Sequence, residues 1–310
     1  MEFSHQSVMA AEVIEYLGCA KAGVYVDGTA GGGGHSREIL KANPGNRLIA
    51  IDRDEEALRA AQENLKSFAG RFTLVKENFR NIKAVLERLS APPIDGMLLD
   101  LGVSSYQLER AERGFSFRQL SRLDMRMDRS EGETAFDLVN TLDEDDLVRV
   151  FRDFGEEAHS KRIARAIIKA RSAKPVETTT ELAEIIQWAV PAKARYGKIH
   201  PATRVFQALR IAVNDELGSL KDALADGVES LKPGGRFVVI SFHSLEDRIV
   251  KNAFRGASTG CICPPRIPKC VCDRTPQARL VTRKAVIPTD AEVDINPRSR
   301  SAKLRALEKL

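Results

Sequence analysis

The chain has 310 residues, with 43% hydrophobic residues, 29% charged residues and a formal net charge of +5. That length supports a full core and division into two domains, and the composition is that of a globular protein. No apolar run reaches the roughly 18 residues needed to span a bilayer, and the mild positive charge permits a nucleic-acid partner without requiring one. The first residues show no basic region followed by an apolar one. No signal peptide is therefore expected, and the cytoplasm is the expected compartment.

Over the first hundred residues strand and helix patterns alternate. Short β-branched runs predict strands at 23–27, 47–52, 71–76 and 94–100. Between them, Ala57, Leu58, Ala61 and Leu65 recur at helical spacing behind Asp54, a residue type suited to an N-cap. This alternation predicts an α/β fold with a doubly wound, mostly parallel sheet. Ligands on such sheets bind outside the carboxyl ends of the strands. Asp27, Asp52 and Asp100 each close a predicted strand, so all three should gather at that edge.

The strand pattern then stops. From about 113 to 200 the chain reads as helices, at 143–153, 157–173 and 178–190, the last opened by the capping signature Thr178-Thr-Thr-Glu181. A long helical pattern over 203–231 carries the chain back, and a strand follows at 235–242 after the turn Lys232-Pro-Gly-Gly235. Two short β-like runs, 279–282 and 302–305, are suited to pairing at the sheet edge. The expected organisation is a core over 1–112, an inserted all-helical domain over 113–205 and the rest of the core over 206–310.

Val24-Tyr-Val-Asp-Gly-Thr-Ala-Gly-Gly-Gly-Gly-His35 is the most informative stretch. A buried strand breaks into glycines, which let a ligand lie against the peptide groups. Asp52 follows Gly33 by 19 residues, close to the interval of about 20 at which a ribose-binding acid follows a Gly-rich turn. The dinucleotide pattern G-x-G-x-x-G fails, however: counted from Gly31, its third glycine falls on Ser36, and counted from Gly28 its second falls on Ala30. An acid followed by a tight glycine turn suits S-adenosylmethionine better, because that cofactor has no phosphates to cradle.

Asp100-Leu-Gly-Val-Ser-Ser105 follows the fourth predicted strand. The amino lone pair of cytosine or adenine is delocalised into the ring and is a poor nucleophile. An acceptor bonded to the amine protons localises that lone pair, and alignment with the methyl donor supplies much of the rest. Asp100 is placed to serve the base, the cofactor or both; as an alternative it merely caps the strand. The loop from Arg110 to Arg129 carries Arg110, Arg113, Arg118, Arg122, Arg126 and Arg129 with Phe115 and Phe117. It reads either as a phosphate-contacting and stacking surface or as core phenylalanines with arginines paired to Asp124 and Asp128. In Lys161–Arg171, Ile163, Ile167 and Ala170 form an apolar face, and Lys161, Arg162, Arg165 and Lys169 form either a solvated face or an RNA-facing one. His243, in Ser241-Phe-His-Ser-Leu-Glu-Asp247, is either a substrate contact or structural. Cys261, Cys263, Cys270 and Cys272 form C-x-C-x6-C-x-C, which departs from the C-x2-C of zinc ribbons. It reads as a thiol or metal cluster, or as a Pro-rich loop (Pro264, Pro265, Pro268) of reduced thiols. No metal ligand is assigned, and zinc binding by the four is left open.

These segments together resemble one family, the rRNA small-subunit (cytosine-N(4))-methyltransferase H family. The resemblance rests on His5-Gln-Ser-Val-Met9, residues 27–36, Ala50-Ile-Asp-Arg-Asp54, residues 100–105, Glu112-Arg-Gly-Phe-Ser-Phe117, residues 123–128, His200-Pro-Ala-Thr-Arg-Val-Phe-Gln207, residues 241–251 and Asn296-Pro-Arg-Ser-Arg-Ser-Ala-Lys303. It implies a methyltransferase core with an inserted helical domain for substrate and S-adenosyl-L-methionine as donor. It implies a cytidine in the decoding region of small-subunit (16S) rRNA as acceptor, within the small ribosomal subunit or a late assembly particle. The cofactor contacts it implies are Gly33, Gly34, His35, Asp52, Phe79, Asp100 and Gln107, with Asp100 also catalytic; Tyr106, before Gln107, differs in some members of the family. An oxidoreductase on a dinucleotide fold, an RNA-binding protein without catalysis and a DNA amine methyltransferase are the competing readings.

Overall fold

The computed structural model describes residues 7–104, 107, 110–197, 199–263, 272 and 274–310. His5, Ser105, Tyr106, Cys270 and the three prolines of the cysteine loop lie outside these. Seven strands form one sheet: β1 (Val24–Asp27), β2 (Arg47–Asp52), β3 (Phe72–Lys76), β4 (Ile94–Asp100), β5 (Leu231–Ser241), β6 (Ala278–Leu280) and β7 (Lys303–Lys309). Their order across the sheet is β3-β2-β1-β4-β5-β7-β6. The first five are mutually parallel. β7 lies antiparallel between β5 and β6, so β6 runs in the same sense as β5. The two late β-like runs thus do meet at the sheet edge.

The strands are apolar on both sides because helices cover both faces. Alternation with a period of two sends neighbours to opposite layers. Val26, Leu99 and Val239 belong to one layer, with Ile82, Val85, Leu224 and Phe254 from the helices. Tyr25, Leu98 and Val238 belong to the other, with Val13, Ile39, Leu58 and Leu65. The helix Glu55–Leu65 starts as its sequence indicates, with the Asp54 carboxylate accepting from Glu56 N at 3.0 Å.

The chain divides into two compact units, residues 1–102 with 217–310, and residues 103–216. The second unit is helical, with helices Ala135–Thr141, Glu144–Asp153, Ser160–Arg171, Thr179–Ala189, Ala192–Arg195 and Ala202–Asn214. Its own core includes Leu147, Phe151, Ile163, Ile167, Leu182, Ile186 and Phe206. The pattern read as continuous over 203–231 is two helices, Ala202–Asn214 and Glu216–Ser230, parted at Asp215 in the left-handed region with φ 43°. The boundary between units falls in that break, where the sequence pattern had suggested one near 205.

No helix among the described residues is long and apolar enough to cross a membrane.

Candidate active site

The sheet order reverses between β1 and β4: the chain moves outward through β2 and β3, then returns to the far side of β1. Such a reversal opens a crevice at the carboxyl ends of the two strands. Asp27 ends β1 and Asp100 ends β4.

Asp27 is fully buried. Its Oδ1 accepts from Thr29 N at 3.1 Å and its Oδ2 from Ser36 Oγ at 2.7 Å. Burial pushes its pKa up, against the charge of His35 and those two bonds. Ser36, the residue that breaks the dinucleotide pattern, therefore ties the first turn of helix Gly34–Ala42 to the strand end. Thr29 Oγ1 in turn accepts from Asp100 N at 2.7 Å, stitching the glycine turn to β4. Nothing in the sequence pattern singles out Thr29 for this.

The turn is shaped by backbone freedom at one position and close approach at the next. Gly33 has φ 84°, a conformation L side chains rarely adopt, and it precedes the helix as its N-cap. A side chain on Gly34 would run into Ser7 Oγ. Asp52 braces the same turn from β2: its Oδ2 accepts from Gly31 N at 2.8 Å and its Oδ1 from Asp54 N at 2.9 Å. Burial pushes the Asp52 carboxyl up to about 6, although both backbone bonds favour its charged form. Phe79 opens the short turn Phe79–Asn81 after β3. Its Cβ comes within 3.3 Å of the position a Cβ on Gly28 would take, so the aromatic ring belongs to the same edge.

His35 and Asp100 face each other across the crevice. His35 is buried, and its Nε2 lies 3.5 Å from Asp100 Oδ2. That separation is an ion-pair distance without good hydrogen-bond geometry. Burial pulls the His35 pKa down; Asp100 and, more weakly, Asp27 and Glu38 outweigh it, and the net shift is upward. Both ring nitrogens of His35 and Oδ1 of Asp100 are buried without a hydrogen-bond partner among the described residues. Unpaired buried polar atoms are costly and uncommon. Their convergence at the switch point marks a place made for a polar ligand.

The structure therefore brings Gly33, Gly34, His35, Asp52, Phe79 and Asp100 to one edge of the first unit. Gln107 belongs to the second unit, where its Oε1 accepts from Ser104 N at 3.1 Å and its N donates to Ser104 Oγ at 3.2 Å. His243 caps helix Ser244–Ser258: its side chain accepts from Glu246 N, and the Glu246 carboxylate reaches back to Phe242 N and His243 N. The structural reading of His243 accounts for these contacts. The loop around residues 110–129 is structural in part, with Arg110, Arg118, Arg122 and Arg129 exposed. Phe115 is core, and Phe117 stacks on His200 with centroids 4.7 Å apart. Arg113 is buried and donates to Met127 O at 2.9 Å, while Arg126 pairs with Asp124 at 2.8 Å. Arg118 and Arg122 stay exposed, as do Lys161, Arg162, Arg165 and Lys169 on the neighbouring helical face.

A sheet of this order, with acids at the ends of β1, β2 and β4 around a glycine turn, defines a class I methyltransferase core. The chain matches the MraW methylase family over residues 2–310 and belongs to it; its methyl donor is S-adenosylmethionine. It is 56% identical over 310 residues to the ribosomal RNA small subunit methyltransferase H of Geotalea uraniireducens, covering 100% of this chain and 99% of that one. It is 54% identical to the protein of the same name from Carboxydothermus hydrogenoformans, with the same coverage. A SAM-dependent O-methyltransferase structure from Thermotoga maritima shares 10% identity at a TM-score of 0.42, covering 100% of this chain and 68% of that one.

Proposed function

We propose that the protein methylates the exocyclic 4-amino group of a cytidine in the decoding region of small-subunit rRNA. The observation that carries the chemistry is the pair His35 and Asp100 at the switch point, with Asp100 Oδ1 buried and unpartnered. The names of the relatives support small-subunit rRNA as the substrate. The cytidine amine and the decoding region follow from the motif resemblance and from the fit of Asp100 to a base amine.

The residues fit S-adenosylmethionine. The orphaned atoms of His35 and Asp100 ask for polar partners, and Asp52 ends β2 with a carboxylate that still has acceptor capacity after its two backbone bonds. In this reading Asp52 accepts from the ribose hydroxyls, Phe79 borders the adenine, and Gly33, Gly34 and His35 line the amino-acid portion. Gln107, in the second unit, is a cofactor contact on the family resemblance alone. When bound, the cofactor supplies an electrophilic methyl group on a sulfonium. Asp100 Oδ1 would accept a hydrogen bond from the target amine, localising the nitrogen lone pair and aligning it, and would take up the proton that the amine gives up when it is methylated. His35, when protonated, gives the other Asp100 oxygen a positive charge 3.5 Å away. The helical unit recognises the RNA, in the small subunit or a late assembly particle, in the cytoplasm. Its exposed Trp188 beneath Arg195, with centroid and guanidinium 4.6 Å apart, and its exposed Tyr196 offer stacking surfaces beside basic side chains.

The test is mass mapping of modified nucleosides in small-subunit rRNA from cells lacking this chain. One N4-methylated cytidine should disappear and return with the wild-type gene but not with Asp100→Ala. An unchanged rRNA profile would overturn the proposal. Restoration by Asp100→Ala would remove Asp100 from the chemistry.

A further inference from the structure

The sulfur atoms of Cys261, Cys263 and Cys272 all lie within 4.8 Å of one another. These residues sit in the connection between helix Ser244–Ser258 and β6. Burial does not explain their convergence: Cys261 is exposed, Cys263 and Cys272 are half-buried, and Ile262 between the first two is 60% exposed. Cys19 shows the contrasting behaviour, packed in the core with its thiol pushed up to about 12 by burial.

We infer that Cys261, Cys263 and Cys272 hold a single thiophilic divalent cation, zinc by class. A tetrahedral zinc with metal–sulfur bonds of about 2.3 Å sets its sulfurs about 3.8 Å apart. The sulfurs of Cys272 and Cys261 are separated by 3.8 Å, a non-bonded spacing far longer than a disulfide of about 2.0 Å. With all three sulfurs within 4.8 Å of one another, a single ion can reach them all, whereas an iron–sulfur cluster spreads its cysteines over several irons. Ile262 N also points its hydrogen at Cys272 Sγ, 3.5 Å away, the kind of outer contact that supports a charged metal ligand. On binding, each coordinating thiol gives its proton to solvent and becomes a thiolate. Cys270 lies outside the described residues and is given no role.

The place of the cluster in the fold sets its role. Helix Ser244–Ser258 starts just past the carboxyl end of β5, and its 15 residues span about 22 Å. It carries the chain back across the sheet: Phe254 meets Phe237 midway along β5, and Ala257 then reaches Gln277, next to the Ala278–Lys309 pair that lies beyond Arg236 toward the amino end of β5. The cysteines therefore sit at the edge opposite the glycine turn. The stems of the connection are pinned by Gln277 N donating to Ala257 O at 2.9 Å and by Arg274 Nη2 donating to Gly256 O at 2.7 Å. The ion closes the part beyond these pins, where no apolar cluster holds the described residues. It staples the loop and takes no part in methyl transfer.

The experiment uses the full-length protein purified in reductant, with zinc and then cobalt as probes. Elemental analysis should find one zinc per chain, lost in Cys261→Ser, Cys263→Ser and Cys272→Ser and retained in Cys19→Ser. Cobalt loaded into the wild-type protein should show thiolate-to-metal charge transfer and the intense visible bands of a tetrahedral site, a result that depends on no variant folding. Chelation should lower the melting temperature and leave S-adenosylmethionine affinity unchanged. Absence of both zinc and the cobalt bands would overturn the inference. So would a non-reducing mass showing these cysteines joined in disulfides.

Discussion

Asp52 illustrates how a side chain readable from spacing takes its properties from its surroundings. Its interval from Gly33 marks it as a ribose partner. The structure adds that it already braces Gly31 and Asp54 and that burial lifts its carboxyl to about 6. The sign of the resulting pH effect follows. If ribose hydroxyls donate to the charged carboxylate, as proposed, cofactor binding lowers this pKa and releases a proton. Affinity for S-adenosylmethionine should therefore rise as pH increases through about 6 and level off above it. Titration calorimetry across that window should show this in wild type and not in Asp52→Ala. The variant should also bind on the order of ten to a hundred times more weakly, since hydrogen bonds to charged groups contribute about 1.5–3 kcal/mol. Unchanged affinity would remove Asp52 from the cofactor site. The Asp100–His35 pairing is a different matter: 65 residues separate them in sequence, and no spacing rule links a residue after a glycine turn to the end of β4.

At the scale of elements, local signals read well wherever the element is closed by its own residues. Thr178 accepts from Glu181 N at 3.2 Å, and the Glu181 carboxylate accepts from Thr178 N at 3.0 Å, completing the capping box that Thr178-Thr-Thr-Glu181 announces. Thr178→Ala should cost about 1 kcal/mol, seen as a lower denaturation midpoint, with helix Thr179–Ala189 showing faster amide exchange. No change in either would mean that the packing of Leu182 and Ile186 alone holds the helix. The break at Asp215 was not legible, because a partner remote in sequence makes it. The Asn214 side chain accepts from Met127 N at 2.8 Å and donates to Met125 O at 2.7 Å, anchoring the helix end to another loop. Phe115 and Phe117 follow the same logic. An aromatic pair beside arginines suits RNA stacking or a core equally well, and the choice rests on the helical core they join.

At the scale of the whole molecule, the interruption of the strand pattern is what announces two units. The first unit is discontinuous, and its sheet is complete only when β5 pairs with β4, as Asp100 does with Ile240. Pairings so distant in sequence carry a loop-closure cost that local helices avoid. The net charge of +5 is unevenly expressed: Arg113 and Arg126 are used inside the second unit, while Arg118, Arg122, Lys161 and Arg162 face solvent. If the helical unit holds the RNA, replacing Arg118 and Arg122, or Lys161 and Arg162, by Gln should weaken RNA binding. Each lost phosphate contact should reduce the salt slope by about one. Cofactor affinity should stay constant, which separates this effect from misfolding. An unaltered salt slope in both pairs would place the RNA elsewhere.

The sequence by itself determined the parallel sheet, its helical interruption, the strand-end acids and the glycine turn. Each of these is written in local periodicity or in residues a few positions apart. Tertiary structure alone decided that Asp100 faces His35, that Thr29 and Ser36 lock the turn, that His243 caps a helix and that three cysteine sulfurs come within 4.8 Å of one another. Those outcomes depend on which strand ends and loops the topology brings side by side, and on which polar atoms burial then leaves in want of a partner.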